Sequence, residues 1–192
     1  MYRIRNNELV VISLFRGDYH ARFYLREMSR LTKIPLKTCQ DTLAYLERMK
    51  VLKSRNEGKN KYFSLNLQDI RTKLFLLQAE IYQTDRLAGK YPELKTFLKS
   101  LRTTRPIIVF GSFARLKADE RSDLDMVIVS DKRLDLPFHL LPVKTHPIYL
   151  TERSFMKALK DQEDLIKEVE ESHVILNNHS FYMDAMWRQY GP

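Results

Sequence analysis

The residues best suited to chemistry in this sequence of 192 residues are two aspartates, Asp123 and Asp125, at the start of an apolar run. Side chains at positions i and i+2 of a β-strand share a face, so a strand here places both carboxylates together while Leu124 points into the core. Two adjacent carboxylates repel each other unless a cation lies between them. Mg²⁺ prefers oxygen ligands and is commonly held by one or two carboxylates together with phosphate oxygens. The pair therefore predicts a magnesium site.

A glycine and a serine, Gly111 and Ser112, lie ahead of the aspartates and directly after another apolar run. We predict a buried strand over 106–110 and a short helix that begins at Gly-Ser. Backbone N–H groups and a hydroxyl at the start of a helix can bind phosphate. A metal beside a phosphate site predicts phosphoryl or nucleotidyl transfer. The alternative is an ordinary turn with two surface acids, which explains less well why paired acids open such an apolar strand.

The order of these features is a strand, Gly-Ser, ten residues, and then Asp-x-Asp at the start of a second strand. It resembles the signature of the DNA polymerase β-like nucleotidyltransferase superfamily. The likeness is greatest to the minimal nucleotidyltransferases, which include prokaryotic members with an attached winged helix. The resemblance covers about residues 105–180 and implies a nucleotidyltransferase fold with a mixed sheet.

The resemblance also implies roles for individual residues. Asp123 and Asp125 would be the catalytic residues that hold the metal. Gly111 and Ser112 would bind the β- and γ-phosphates of a nucleoside triphosphate. Three cations of the intervening segment could steer or neutralise the triphosphate, or could equally be solvated surface residues: Arg115, Lys117 and Arg121.

Two departures from the superfamily pattern affect the expected activity. Leu116 follows the arginine after which family members often have glycine. A third carboxylate, usual on a later strand, is absent from the candidate strand over 143–150. Of the nearby acids, Glu152 suits the first turn of a helix and Asp135 lies in a loop. His146 is interpreted as a polar residue at a strand edge, since a neutral imidazole does not replace a carboxylate for Mg²⁺. Without the third acid, deprotonation of an attacking hydroxyl and binding of a second metal are both weakened.

The net charge of +9 is concentrated in the first third of the chain. Residues 1–68 contain 14 Lys and Arg but six Asp and Glu, whereas residues 69–192 contain 19 and 18. This asymmetry favours a first domain that meets nucleic acid, although a basic solvated surface is an alternative. One cysteine excludes a disulfide scaffold and a cysteine-based zinc site. Because no apolar run approaches ~18 residues and the first residues lack a signal-peptide core, we expect a cytoplasmic protein without a membrane partner.

The first 68 residues have the pattern of a winged helix-turn-helix domain. The predicted elements are helices over 6–15, 23–31 and 36–49 and strands over 51–55 and 61–65, joined by a hairpin loop over 56–60. The polar face of the third helix can meet base edges of double-stranded DNA, and the hairpin cations can meet phosphates. The candidate DNA-binding residues are Lys37, Thr38, Gln40, Lys53, Arg55, Lys59 and Lys61. A protein-docking or dimerisation module remains an alternative.

The rest of the chain is predicted to contain a helical connector and a long C-terminal segment. Apolar residues at 70, 74, 77 and 81 predict an amphipathic connector helix with Glu80 off the apolar stripe, and this helix could mediate a homodimer. Thr151 could cap a helix that continues to about 171, with Glu170 on its outer face. The predicted domains are a winged helix-turn-helix over 1–68, a connector over 69–104 and a nucleotidyltransferase-like domain over 105–192. The fold class is α+β.

Three functions agree with these features. The first is an Mg²⁺-dependent enzyme that moves a nucleoside monophosphate from a nucleoside triphosphate to a hydroxyl of a protein or small molecule. The second is a DNA-binding transcription regulator whose nucleotidyltransferase domain binds nucleotide without efficient catalysis. The third is an antitoxin-like partner that modifies or masks a toxin.

Overall fold

The structure, a computed structural model, describes residues 6–192 and has mixed α+β architecture. Its helices are α1 (Asn6–Ile12), α2 (Leu25–Thr32), α3 (Leu36–Arg48), α4 (Ile70–Lys90), α5 (Leu94–Ser100), α6 (Gly111–Ala114), α7 (Glu152–Asp161), α8 (Asp164–Glu171) and α9 (His179–Tyr190), with 3-10 turns at Ser13–Phe15 and Phe138–Leu140. Its strands are β1 (Phe23–Tyr24), β2 (Leu52–Glu57), β3 (Asn60–Leu65), β4 (Ile107–Phe110), β5 (Leu124–Val129), β6 (Thr145–Leu150) and β7 (His173–Asn177). The chain divides within α4 into two compact units. The domain boundaries expected at 68 and 104 remain predictions.

The first unit, whose described residues are 6–79 and 190–192, contains α1–α3 and a three-stranded antiparallel sheet in the order β1-β3-β2. The expected hairpin is present, but its loop is shorter than predicted. Strand pairing continues to Glu57 and Asn60, which leaves a turn of two residues with Gly58 at a φ of +58°. The helix predicted from Phe23 begins at Leu25, because the two preceding residues pair with β3.

Apolar side chains from all three helices and the sheet form the core of this unit. Cys39 is fully buried, as the helical spacing predicts, and burial raises the pKa of its thiol. Leu36, expected on the same buried face, is 46% exposed because it is the first residue of α3. The largest fully buried side chains here are Ile12, Phe15, Met28, Leu43, Leu46, Leu52, Leu65 and, from α4, Leu76.

The second unit, residues 80–189, is built on a four-stranded mixed sheet in the order β6-β5-β4-β7. β5 runs parallel to β6, while β4 runs antiparallel to β5 and β7. β4 and β5 are apolar over nearly their whole length because they lie in the middle of the sheet. Alternate residues of β5, such as Leu124 and Met126, join a core with Leu94 and Phe97 of α5.

The prediction for α4 placed the wrong face of the helix in the core. Ile70 and Ile81 of the predicted apolar stripe are 60% and 50% exposed, whereas Glu80 is fully buried. The Glu80 carboxylate lies 3.2 Å from Nε2 of the buried His173, so an ionisable partner stabilises this side chain in the interior. The face of α4 that enters the core therefore includes a carboxylate, which a hydropathy pattern assigns to the surface.

The prediction of one helix after Thr151 was also wrong, although Thr151 caps its start by accepting the Ser154 backbone N–H at 3.0 Å. Gln162 adopts a left-handed conformation that ends α7, and α8 begins two residues later. Glu170, expected on the outer face, is 8% exposed. Within residues 6–192, no helix combines the length and apolar character needed to cross a membrane.

Candidate functional site

The paired aspartates lie at the N-terminal end of β5. Leu124 between them is fully buried in the core, and the side chains of Asp123 and Asp125 on the opposite face are 34% and 35% exposed. This is the arrangement that strand alternation predicts. Two carboxylates with a third of their surface open to solvent form a negative site that a ligand can reach.

Gly111 brings the backbone of α6 against this pair. Its φ of +70° is strained for any residue with a Cβ, and a Cβ placed there would be 3.1 Å from Oδ2 of Asp125. The absence of a side chain therefore allows the carboxylate and the start of α6 to approach each other closely. Ser112 follows and is partly exposed beside this contact.

Two basic side chains face the aspartates, His146 of β6 and Lys144 directly before that strand. β5 and β6 are parallel, and their register places His146 beside Asp125. Nδ1 of His146 lies 3.4 Å from Oδ1 of Asp125, and its Nε2 lies 3.6 Å from Oδ2 of Asp123. Nζ of Lys144 lies 3.7 Å from the same Oδ2 of Asp123. An imidazole therefore occupies the strand position where the family resemblance implies a third carboxylate, and an ammonium lies next to it.

The interpretation of His146 as a polar strand-edge residue missed these contacts. Sequence spacing places a histidine on a strand but does not determine which neighbouring strand it pairs with or in which register. The parallel pairing of β5 with β6 was the missing information. Glu152 lies beyond the opposite end of these strands, because Leu150 pairs with Val129.

The acidic pair fits a magnesium ion that receives its remaining ligands from phosphate. Among the described residues, 6–192, no group of three or more His, Cys, Asp and Glu side chains is placed to hold a metal. A protein nevertheless usually supplies only one or two carboxylates to Mg²⁺, and substrate phosphates and water provide the remaining ligands. Asp123 and Asp125 are thus the residues that could hold the ion.

The segment between α6 and β5 carries the three candidate triphosphate-binding cations. Arg115, Lys117 and Arg121 are all exposed. The backbone N–H of Lys117 donates to the Ser112 carbonyl at 2.9 Å, which ties the segment to the Gly-Ser turn. Leu116 has a φ of +56°, so this position keeps the left-handed conformation that a glycine adopts easily.

The candidate DNA-binding residues lie on three surfaces of the first unit. In α3, Lys37, Thr38 and Gln40 are exposed, and Lys37 forms an exposed ion pair with Asp41 at 2.9 Å. In the hairpin, Lys53 and Arg55 share one face of β2, and Lys59 lies in the turn. Lys61 is separate, because its Nζ lies 2.8 Å from Oε2 of Glu47 in α3. The structure groups Lys53 with Arg55 and directs Lys61 towards the helix.

Comparison with known proteins supports the resemblance for the second unit. Residues 91–180 match the family model of the nucleotidyltransferase domain, which is just under half of the chain. The matched segment includes Gly111, Ser112, both aspartates and His146. No curated protein and no solved structure gives a significant match. The match indicates a nucleoside triphosphate as the ligand class and transfer of a nucleoside monophosphate as the general type of activity.

Proposed function

We propose that the chain is a DNA-binding regulator whose second unit binds a magnesium–nucleoside triphosphate and transfers the nucleoside monophosphate only slowly. The observation that supports this function most strongly is the composition of the site. Two carboxylates are available for one metal ion, while His146 of β6 and Lys144, the residue before β6, face them in place of a third acid. This set of side chains suits nucleotide binding better than rapid transfer.

Each group near the acidic pair has a role in holding the nucleotide. Asp123 and Asp125 hold the magnesium ion, which when bound neutralises triphosphate charge and polarises the phosphate under attack. Gly111 and Ser112 present backbone N–H groups and a hydroxyl to the β- and γ-phosphates. The exposed cations at 115, 117 and 121 raise the local concentration of the anionic ligand.

Slow transfer follows from what β6 lacks. A third carboxylate would share a second metal ion and accept the proton of an attacking hydroxyl. At that place His146 contacts both aspartates, and Lys144 adds a positive charge next to Asp123. Lys is never an acceptor in its charged form, and imidazole is a poor ligand for Mg²⁺. The acceptor hydroxyl therefore has no carboxylate to activate it.

The element order of the first unit supports a winged helix-turn-helix that binds double-stranded DNA. Three helices precede a β-hairpin, and the hairpin pairs with the short strand β1. The exposed N-terminal half of α3 suits the major groove, where Thr38 and Gln40 can read base edges. Lys53 and Arg55 suit phosphates. Winged-helix regulators that bind two half-sites do so as dimers, and we include a homodimer in the proposal.

A gain-of-function substitution tests the proposal most sharply. His146→Asp supplies the missing carboxylate, and His139→Asp makes the same change in an exposed residue of the Phe138–Leu140 turn. Transfer of label from an α-labelled nucleoside triphosphate to candidate acceptors is measured alongside nucleotide affinity. We expect the wild type to bind nucleotide, and His146→Asp to raise transfer by about tenfold or more, since a positioned base contributes ~10²–10⁴-fold. Wild-type turnover in the ordinary range of about 1–10³ s⁻¹ would contradict slow transfer.

An active magnesium-dependent transferase is the second candidate. The close approach of Gly111 to Asp125 favours this activity. The contact requires a glycine, and a glycine backbone loses more conformational freedom on folding than that of any other residue. In that case the acceptor is a hydroxyl of a protein or a small molecule. The double substitution Asp123→Ala/Asp125→Ala then abolishes labelling of the acceptor, and labelling that persists in this variant excludes the site.

A further inference from the structure

Tyr91, the residue that follows α4, contacts the segment between the Gly-Ser turn and the aspartates at two points. Its ring centroid lies 4.8 Å from that of Phe113 in α6. Its hydroxyl oxygen accepts the backbone N–H of Ala118 at 2.9 Å, and the hydroxyl donates a longer hydrogen bond to the Ala118 carbonyl at 3.4 Å. The side chain is buried, with 7% of the residue exposed. One aromatic residue therefore touches both α6, which begins at Gly111, and the loop over 115–121 that follows this helix.

This loop needs support from outside its own sequence. Leu116 adopts a left-handed φ of +56°, which residues other than glycine keep only when the surrounding structure holds them there. The N–H of the next residue, Lys117, is bonded to the Ser112 carbonyl. The N–H of Ala118 is in turn bonded to the Tyr91 hydroxyl. The two bonds hold the two residues that directly follow the strained Leu116.

We infer that Tyr91 is a positioning residue for the nucleotide, an inference that rests on the proposed function. Through Ala118 it holds the backbone that carries Arg115 and Lys117, and through Phe113 it supports α6 behind Ser112. A loop that is ordered before the ligand arrives does not lose that conformational freedom on binding. Tyr91 thus increases nucleotide affinity without touching the nucleotide.

Tyr91→Phe tests this role because it keeps the ring against Phe113 and removes only the hydroxyl. We expect the dissociation constant for a fluorescent nucleoside triphosphate with Mg²⁺ to rise about 3- to 10-fold, which is the net value of the shorter of the two lost hydrogen bonds, that from the Ala118 N–H. Transfer at saturating nucleotide stays within about twofold, since only binding is altered. Exchange of the Ala118 amide proton, followed by NMR, becomes faster.

Tyr149→Phe is the matched control. Tyr149 packs against the same core, and its hydroxyl donates a long hydrogen bond of 3.4 Å to the Leu134 carbonyl, outside the loop over 115–121. We expect its nucleotide affinity and Ala118 exchange to equal those of the wild type.

The outcomes separate the inference from the proposed function. If the wild type and Tyr91→Phe bind nucleotide equally well, the inference is overturned and the proposed function stands. A lower melting temperature with unchanged affinity also overturns it, because Tyr91 is then only structural. If the wild type binds no nucleotide with Mg²⁺ present, the proposed function fails and the inference fails with it.

Discussion

Replacement of Gly111 by alanine should disrupt the acidic site through a contact with Asp125, and a control variant can separate the effect of this contact from that of backbone strain. The φ of +70° at this position costs a residue with a Cβ about 1–2 kcal/mol. The new Cβ would also lie 3.1 Å from Oδ2 of Asp125, closer than ordinary van der Waals contact. Either the carboxylate or the start of α6 must then move by a few tenths of an ångström.

Gly58 provides a control with the same backbone penalty and no such neighbour. Its φ is +58°, and a Cβ added there meets no atom within 4 Å. Gly58→Ala should therefore cost about 1–2 kcal/mol, which in a chain of this size lowers a melting temperature by roughly 2–8 °C. It should leave the nucleotide site unchanged. Differential scanning calorimetry measures the stability of both variants.

Nucleotide affinity distinguishes the two alanine variants. We expect Gly111→Ala to weaken binding of a fluorescent nucleoside triphosphate with Mg²⁺ by about tenfold or more, which corresponds to ~1.4 kcal/mol or more. Gly58→Ala should bind as the wild type does. Wild-type affinity in Gly111→Ala would refute the reasoning, because the contact between Gly111 and Asp125 would then have no part in binding.

Three further predictions concern the first unit and the start of α4. Lys53→Ala should lower the slope of log affinity for duplex DNA against log salt by about one. Lys61→Ala should leave this slope nearly unchanged, because Lys61 is directed towards α3 by its ion pair with Glu47. Cys39 should resist Ellman's reagent at pH 8 until denaturant is added, since it is fully buried and burial raises its thiol pKa; rapid native labelling would contradict this. Hydrogen bonds from the Arg71 side chain and backbone lower the pKa of Asp69 from 3.8 to about 2. Because the folded pKa lies below the unfolded one, the stabilisation is complete above about pH 4 and is lost as the pH falls towards 2; an NMR titration midpoint near 4 would refute it.

The sequence predicted those parts of the fold that depend on local periodicity. Alternation around Leu124 placed both aspartates on one face, and helical spacing placed Cys39 in the core. Hairpin composition predicted the pairing of β2 with β3, although the strands proved longer than expected. In each case the physical signal lies within a few consecutive residues.

The features that the sequence did not predict depend on contacts between distant residues. Glu80 is buried because His173, far along the chain, lies beside its carboxylate. His146 faces Asp123 and Asp125 because β5 and β6 pair in parallel in one particular register. Neither partner can be identified from spacing, since a hydropathy pattern carries no information about which strand lies next to which.

Isothermal titration of a nucleoside triphosphate, with and without Mg²⁺, tests the central claim most directly. The wild type is compared with Asp123→Asn/Asp125→Asn, which keeps the size of both side chains and removes their charge. We expect magnesium-dependent binding in the wild type and its loss in the double variant. Equal binding by the two proteins, or binding by the wild type that is unaffected by Mg²⁺, would contradict the assignment of these aspartates as the metal-holding pair.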